Sequence, residues 1–241
     1  MSKNIIYCIC SYLEKQQIEL KNIIKNANDI PIWANKNNID CELITKIPSN
    51  IDDMVESIKD KWWDPPSTKN KVKFFRNIHK LKAWNTKYEV IHRFYNSNYE
   101  KMIYVDCDFL PTYHKIDFNK IYTGYYMHTR SRPLWEKMKP PISTVEKHSK
   151  QKLKYRYIAG IMYLTKDFKH NMKNIFNYDK IYKLWEIDSD FIREETSLNY
   201  ILFNENIAQD VTSITKQTKF LKHIGGKTKK TEFIYNQEWK L

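Results

Sequence analysis

No glycine occurs before position 124, and the whole chain of 241 residues has four: Gly124, Gly160, Gly225 and Gly226. That scarcity excludes folds that hold a nucleotide in a glycine loop. A dinucleotide fingerprint needs three glycines in its first strand–turn–helix unit, where backbone must approach the pyrophosphate. A phosphate-cradling P-loop fails at its start. Gly226-Lys227-Thr228 imitates the end of that motif, but Leu221 stands where its leading glycine belongs.

Without glycine punctuation, the hydrophobic pattern carries the fold. Ile5–Cys10 is an apolar run suited to a buried strand. Ser11-Tyr12 turns it into a helical pattern through Ile18, Leu20, Ile23 and Ile24. Short strands are expected at Pro31-Ile32-Trp33 and at Cys41–Ile44, then helix from about Lys71 to Asn96. Met102-Ile103-Tyr104-Val105 is the next strand and ends on Asp106-Cys107-Asp108; Tyr122–Met127 and Tyr157–Leu164 follow as strands. Between these last two the sequence predicts a long basic connection, about His128 to Arg156. Two helical segments, a helix over Glu194–Phe203 and a short strand near Ile207–Val211 complete the pattern. Strands alternating with helices predict an α/β fold with a mostly parallel central sheet flanked by helices. Neither an internal repeat nor a linker interrupts the chain, so one domain over 1–241 is expected.

Four cysteines, Cys8, Cys10, Cys41 and Cys107, form no CxxC pair and no zinc spacing with histidine. Free thiols in a reducing, cytoplasmic compartment (a host's, were the source viral) are the expectation. No apolar run reaches the length of a membrane span.

The chemistry centres on Asp106 and Asp108. Two carboxylates one residue apart, just beyond a buried strand, can reach a single hard cation at the carboxyl edge of a sheet, where open α/β sheets bind ligands. Such a metal would neutralise the diphosphate of a nucleotide-linked donor. Asp188-Ser189-Asp190 repeats the spacing, but no strand precedes it, and Ser189 or Asp190 there suits a helix N-cap.

Around the first copy, Lys80-Leu81-Lys82-Ala83-Trp84 lies upstream, while Ala159-Gly160, Glu194-Glu195-Thr196-Ser197-Leu198-Asn199 and His223…Gly226…Lys229 lie downstream. This order resembles the GT-A glycosyltransferases, in particular the retaining family of glycogenin and the lipopolysaccharide galactosyltransferases. That family has Lys-Leu-x-x-Trp, Asp-x-Asp, a small-residue-Gly strand, Asp-Gln-x-x-Leu-Asn and His-x-x-Gly-x-x-Lys in the same sequence. The resemblance covers about residues 5 to 230. It implies a GT-A-like, Rossmann-like fold, with residues 1–110 the nucleotide-binding half, 111–230 the acceptor side and 231–241 a tail.

The resemblance further implies transfer of a sugar from a nucleotide-diphosphate donor, UDP-linked, to an acceptor hydroxyl with retention. Asp106, Asp108 and His223 would hold Mn²⁺ or Mg²⁺. Gly226 and Lys229 would close on the departing diphosphate, Lys80 would contact the donor, and Glu194 or Glu195 would face the reacting carbon. Ser11, Tyr12 and Arg76 are further donor-side candidates, Tyr12 as a ring able to stack on a nucleobase. Each has a plainer reading as well: Tyr12 as a surface tyrosine, Glu194 and Glu195 as acids favoured at a helix start.

Lys and Arg number 41 against 28 Asp and Glu, a net +13. One nucleotide sugar does not require this. Basic residues cluster over 128–156 and 216–230, which suggests a polyanionic partner: nucleic acid, anionic glycan or membrane surface. Two further readings follow. The acceptor could be a hydroxylated base in phage or viral DNA, or the chain could be a non-enzymatic nucleic-acid-binding protein.

Overall fold

The computed structural model describes residues 3–9, 29–62, 78–106, 109–111, 125–131, 142–153, 155–205, 207 and 221–223. Five strands form one sheet: β1 (Asn4–Ile9), β2 (Asp40–Ile44), β3 (Lys101–Asp106), β5 (Tyr125–Ser131) and β6 (Tyr155–Thr165), in the order β2-β1-β3-β6-β5. β2 and β3 both pair parallel with β1. β6 pairs antiparallel with β3 and with β5, so four strands run one way and β6 runs against them. The expected mostly parallel α/β sheet is therefore present. A separate two-stranded ladder joins β4 (Phe109–Pro111) to β7 (Leu221–His223), antiparallel.

The two central parallel strands, β1 and β3, are apolar on both faces, as strands covered by helices on both sides are. Ile5 to Ile9 and Met102 to Val105 are all buried. Each fully buried Ile or Phe of such a core contributes about 1.5–3 kcal/mol. Tyr7, Tyr88, Tyr104, Tyr163 and Trp185 are among the largest fully buried side chains, so aromatic rings supply the bulkiest part of the core.

The helices are α1 (residues 29–36), α2 (Ser49–Trp62), α3 (Ile78–Asn96), α4 (Ile142–Ser149), α5 (Met172–Ile175), α6 (Tyr178–Ile187) and α7 (Glu194–Asn204), with a 3₁₀ turn over Ser189–Ile192. α2 is fastened twice. Lys82 of α3 pairs with Asp52 at 2.6 Å and with Glu56, and the Trp62 indole donates to the Trp185 carbonyl at 2.8 Å.

Three expectations change. Pro31-Ile32-Trp33 is helical, not a strand. Ile30, Trp33 and Ala34 are buried while Ile32 is 56% exposed, a spacing of three and four that belongs to a helix, and proline is tolerated in its first turn. The basic stretch over 128–156 is not one long loop, because it contains the end of β5, α4 and the start of β6. Ile142, Val145 and Leu153 bury themselves against Tyr200 and Phe203 of α7, an apolar pattern sparse enough to be hidden among lysines. Third, the cap near the second Asp-x-Asp is Asp188 rather than Ser189 or Asp190. It caps the end of α6, and its carboxylate accepts from the Asp190 amide at 3.0 Å to start the 3₁₀ turn. Of the strand expected at Ile207–Val211, only Ile207 lies among the described residues, and it belongs to no strand.

Asp188 also pins α4. Its carboxylate lies 3.2 Å from His148 Nε2 and 3.6 Å from Lys147, while Asp190 accepts from the Thr144 hydroxyl at 2.8 Å. Burial works to raise the Asp188 pKa, but the Asp190 amide and the His148 and Lys147 partners outweigh it and hold it below its ordinary value. A depressed carboxylate contributes stability that is present above its unfolded pKa and lost as pH falls through the folded one. Asp188→Ala should therefore cost about 1–2 kcal/mol in urea denaturation at neutral pH. The deficit should vanish well below pH ~4, where both proteins lack that charge.

Candidate active site

β3 ends at Asp106, in register with Ile9, so the carboxyl ends of β1 and β3 open on one edge of the sheet. Residues two apart on a strand share a face. The Tyr104 hydroxyl accordingly donates to Asp106 Oδ1. Asp106 and Gly160 each stand one residue beyond the last β3–β6 pair, Val105 with Ile161. Gly160 also sits in a register shift. Met127 pairs with Met162 and His128 with Ile158, leaving Ala159, Gly160 and Ile161 of β6 without β5 partners. A glycine within a strand suits such an irregularity and allows close approach of another group.

The face of α3 turned inward is unusually polar. Lys82, Asn85, Thr86 and Lys87 are all buried. Lys87 lies on the stripe of Ile91 and Phe94, four and seven residues on, which brings its ammonium under the sheet edge. Nζ lies 3.3 Å from Asp106 Oδ1 and 3.0 Å from Glu194 Oε1, and 5.6 Å from the centre of the Tyr104 ring. One buried cation thus joins the end of β3 to the start of α7.

Glu194 is held by the turn before it. Arg193 is at once the C-cap of the 3₁₀ turn and the N-cap of α7. The Asn85 amide of α3 donates to the carbonyls of Leu81 and Ile192, both at 2.8 Å, and Ser197 donates to the Phe191 carbonyl. The Tyr88 hydroxyl reaches the Glu194 carbonyl at 3.4 Å. Glu194 therefore opens the helix, where its charge also meets the favourable end of the helix dipole.

Burial alone would push the Lys87 pKa down. The carboxylates of Asp106 and Glu194, with Glu195 adding its field, outweigh that and raise it well above the usual lysine value. Lys87 neutralises one unit of the charge carried by Asp106, Glu194 and Glu195. Asp106 keeps a third of its side chain exposed, against 4% for Lys87. Asp106, a third exposed, is an oxygen donor of the kind that hard divalent cations take. The β4–β7 ladder sets His223 across from Phe109, one residue past Asp108. Among the described residues no group of three or more side chains able to hold a metal forms.

Asp106, Glu194 and Glu195 are brought together at this edge. Lys80 lies in the first turn of α3, seven residues and about 10 Å of helix before Lys87. Ser11, Tyr12, Arg76, Asp108, Gly226 and Lys229 lie outside the described residues. Lys87 is the residue that motif matching passes over. Its signal was a lysine interrupting the apolar stripe of Ile91 and Phe94.

No protein-family model and no curated protein sequence matches the chain. Among solved structures, it is similar to a glycosyltransferase involved in glycosylation of the major capsid of PBCV-1, at 10% identity and a TM-score of 0.46, over 96% of this chain and 98% of that one. It is also similar to mouse xyloside xylosyltransferase 1 in its apo form, at 8% identity and a TM-score of 0.45, over 88% of this chain and 86% of that one.

Proposed function

We propose that the chain is a metal-dependent glycosyltransferase that moves a sugar from a UDP-linked donor to an acceptor hydroxyl with retention. The observation that carries this reading is the Lys87 bridge between Asp106 and Glu194. Three residues distant in sequence meet at the carboxyl edge of the sheet, and the two acids are those singled out by the motif order. In the reaction, the bond from the anomeric carbon to the diphosphate oxygen breaks, a bond from the acceptor oxygen to that carbon forms, and the acceptor hydroxyl's proton passes to the departing diphosphate oxygen. Asp106, Asp108 and His223 would hold Mn²⁺ or Mg²⁺, which when bound supplies charge stabilisation to the leaving diphosphate. Glu194, fixed by Lys87, would face the reacting carbon, with Glu195 beside it. Lys229 would meet the diphosphate as a point charge.

Charge favours one reading of the acceptor over others. In register, Arg130 of the edge strand β5 stands directly opposite Arg156 of β6. Lys147 in the last turn of α4, and Lys150 and Lys152 between α4 and β6, are exposed. A hydroxylated base in DNA is the acceptor that this charge suits, its backbone phosphates meeting the basic stretch from α4 to β6.

Thermal unfolding in the presence of a nucleotide panel tests the transferase. Tm should rise with a nucleoside diphosphate and Mn²⁺ together and stay unchanged with either alone. Asp108→Ala should abolish the joint shift and lower turnover by about 10²–10³-fold or more. Full activity in excess chelator would overturn the metal role. For the acceptor, DNA affinity should fall steeply with salt, and replacing Lys147, Lys150 and Lys152 with alanine should flatten the log–log slope by about one for each phosphate no longer neutralised. Absence of DNA binding at low salt would rule this acceptor out.

A further inference from the structure

We propose that Lys87 is a built-in counter-ion that withholds Asp106 from a divalent cation until a nucleoside diphosphate arrives with it. The inference rests on the glycosyltransferase reading and concerns the order in which that site fills. Lys87 Nζ already occupies one side of Asp106 Oδ1 at 3.3 Å, the oxygen that also accepts from the Tyr104 hydroxyl. A bare cation approaching this carboxylate meets a fixed positive charge at short range, in surroundings where charges are poorly screened.

Lys87 cannot easily give way. Its side chain is 4% exposed, held between Glu194 at 3.0 Å and the Tyr104 ring at 5.6 Å. A cation carried on a diphosphate is a different object. The phosphate oxygens surround it with negative charge, so the complex approaches Lys87 with its repulsion offset. Lys87 thereby acts as a positioning residue before the donor binds, keeping Asp106 and Glu194 from repelling each other. It also makes metal binding conditional on the donor.

Mn²⁺ alone is the probe, with free ion followed by electron paramagnetic resonance on the full chain, with and without the most stabilising nucleoside diphosphate of the panel. Wild type and Lys87→Arg should bind Mn²⁺ at least tenfold more tightly with the diphosphate than without it. Lys87→Met, verified as folded by circular dichroism, should bind Mn²⁺ alone at least tenfold more tightly than wild type, while losing turnover. Should that variant fail to fold, Lys87→Met with Glu194→Gln removes one buried charge of each sign and should show the same gain. A merely structural lysine would give unchanged or weaker Mn²⁺ binding when replaced. That result, or a wild type that binds Mn²⁺ equally well with and without diphosphate, overturns the role of Lys87 and leaves the transferase reading intact. A wild type that binds no Mn²⁺ with any nucleotide removes both.

Discussion

A fully buried ammonium has to be answered by negative charge, and in this fold the requirement falls on Lys87. Its two partners arrive from different elements, Asp106 from the end of a strand and Glu194 from the start of a helix, 107 residues beyond Lys87. Breaking a buried pair by removing one member typically costs about 3–5 kcal/mol, because the other is left uncompensated. The end of β3, the middle of α3 and the first turn of α7 are therefore tied to one another. The polar seam around this contact is costly for the same reason. Asn85, Thr86, Thr196, Ser197 and Asn199 are buried where aliphatic packing would be simpler. Asn85 Oδ1 and Thr196 Oγ1 lack a hydrogen-bond partner among the described residues. Proteins concentrate such departures from an apolar interior where function requires them.

Much of this was legible in the sequence, for reasons that lie in particular residues. β1 and β3 are continuous apolar runs, and only a strand buried on both faces asks for that pattern. Asp106 was legible because it ends such a run. Glu194 and Glu195 were legible as the acidic start of a helix, although nothing local distinguished a carboxylate that merely favours a helix start from one that reaches a buried lysine. Lys87 was hidden because Lys80, Lys82 and Lys87 look alike in one dimension. The fold sends Lys82 to Asp52 and Glu56 on α2, and Lys87 to the sheet edge. The helix at residues 29–36 was misread because three apolar residues cannot separate a strand from a helical turn by themselves. The β4–β7 ladder was invisible for another reason: three-residue strands have no periodicity to detect.

The surplus of positive charge also separates into kinds. Lys82 and Lys87 are interior, spent on joining helices to one another and to the sheet. Lys147, Lys150 and Lys152 are exposed in and just beyond the last turn of α4, on the stretch that leads into the Arg130–Arg156 register pair. The net +13 therefore overstates what is available to a partner in some places and understates its concentration in others.

The stretch from α6 to α7 has no slack. Asp188 closes one helix and opens the 3₁₀ turn, and Arg193 closes that turn and opens the next helix. Every residue from Tyr178 to Asn204 therefore belongs to an element or serves as its cap. An insertion or deletion here would find no loop to absorb it. Adding one residue ahead of α7 would turn that helix by about 100° relative to α3 and carry Glu194 away from Lys87. The number of residues between Trp185 and Glu194 is consequently a better yardstick for distant relatives than any identity among them: side chains can be exchanged, whereas this interval cannot change length without dismantling the buried ion cluster.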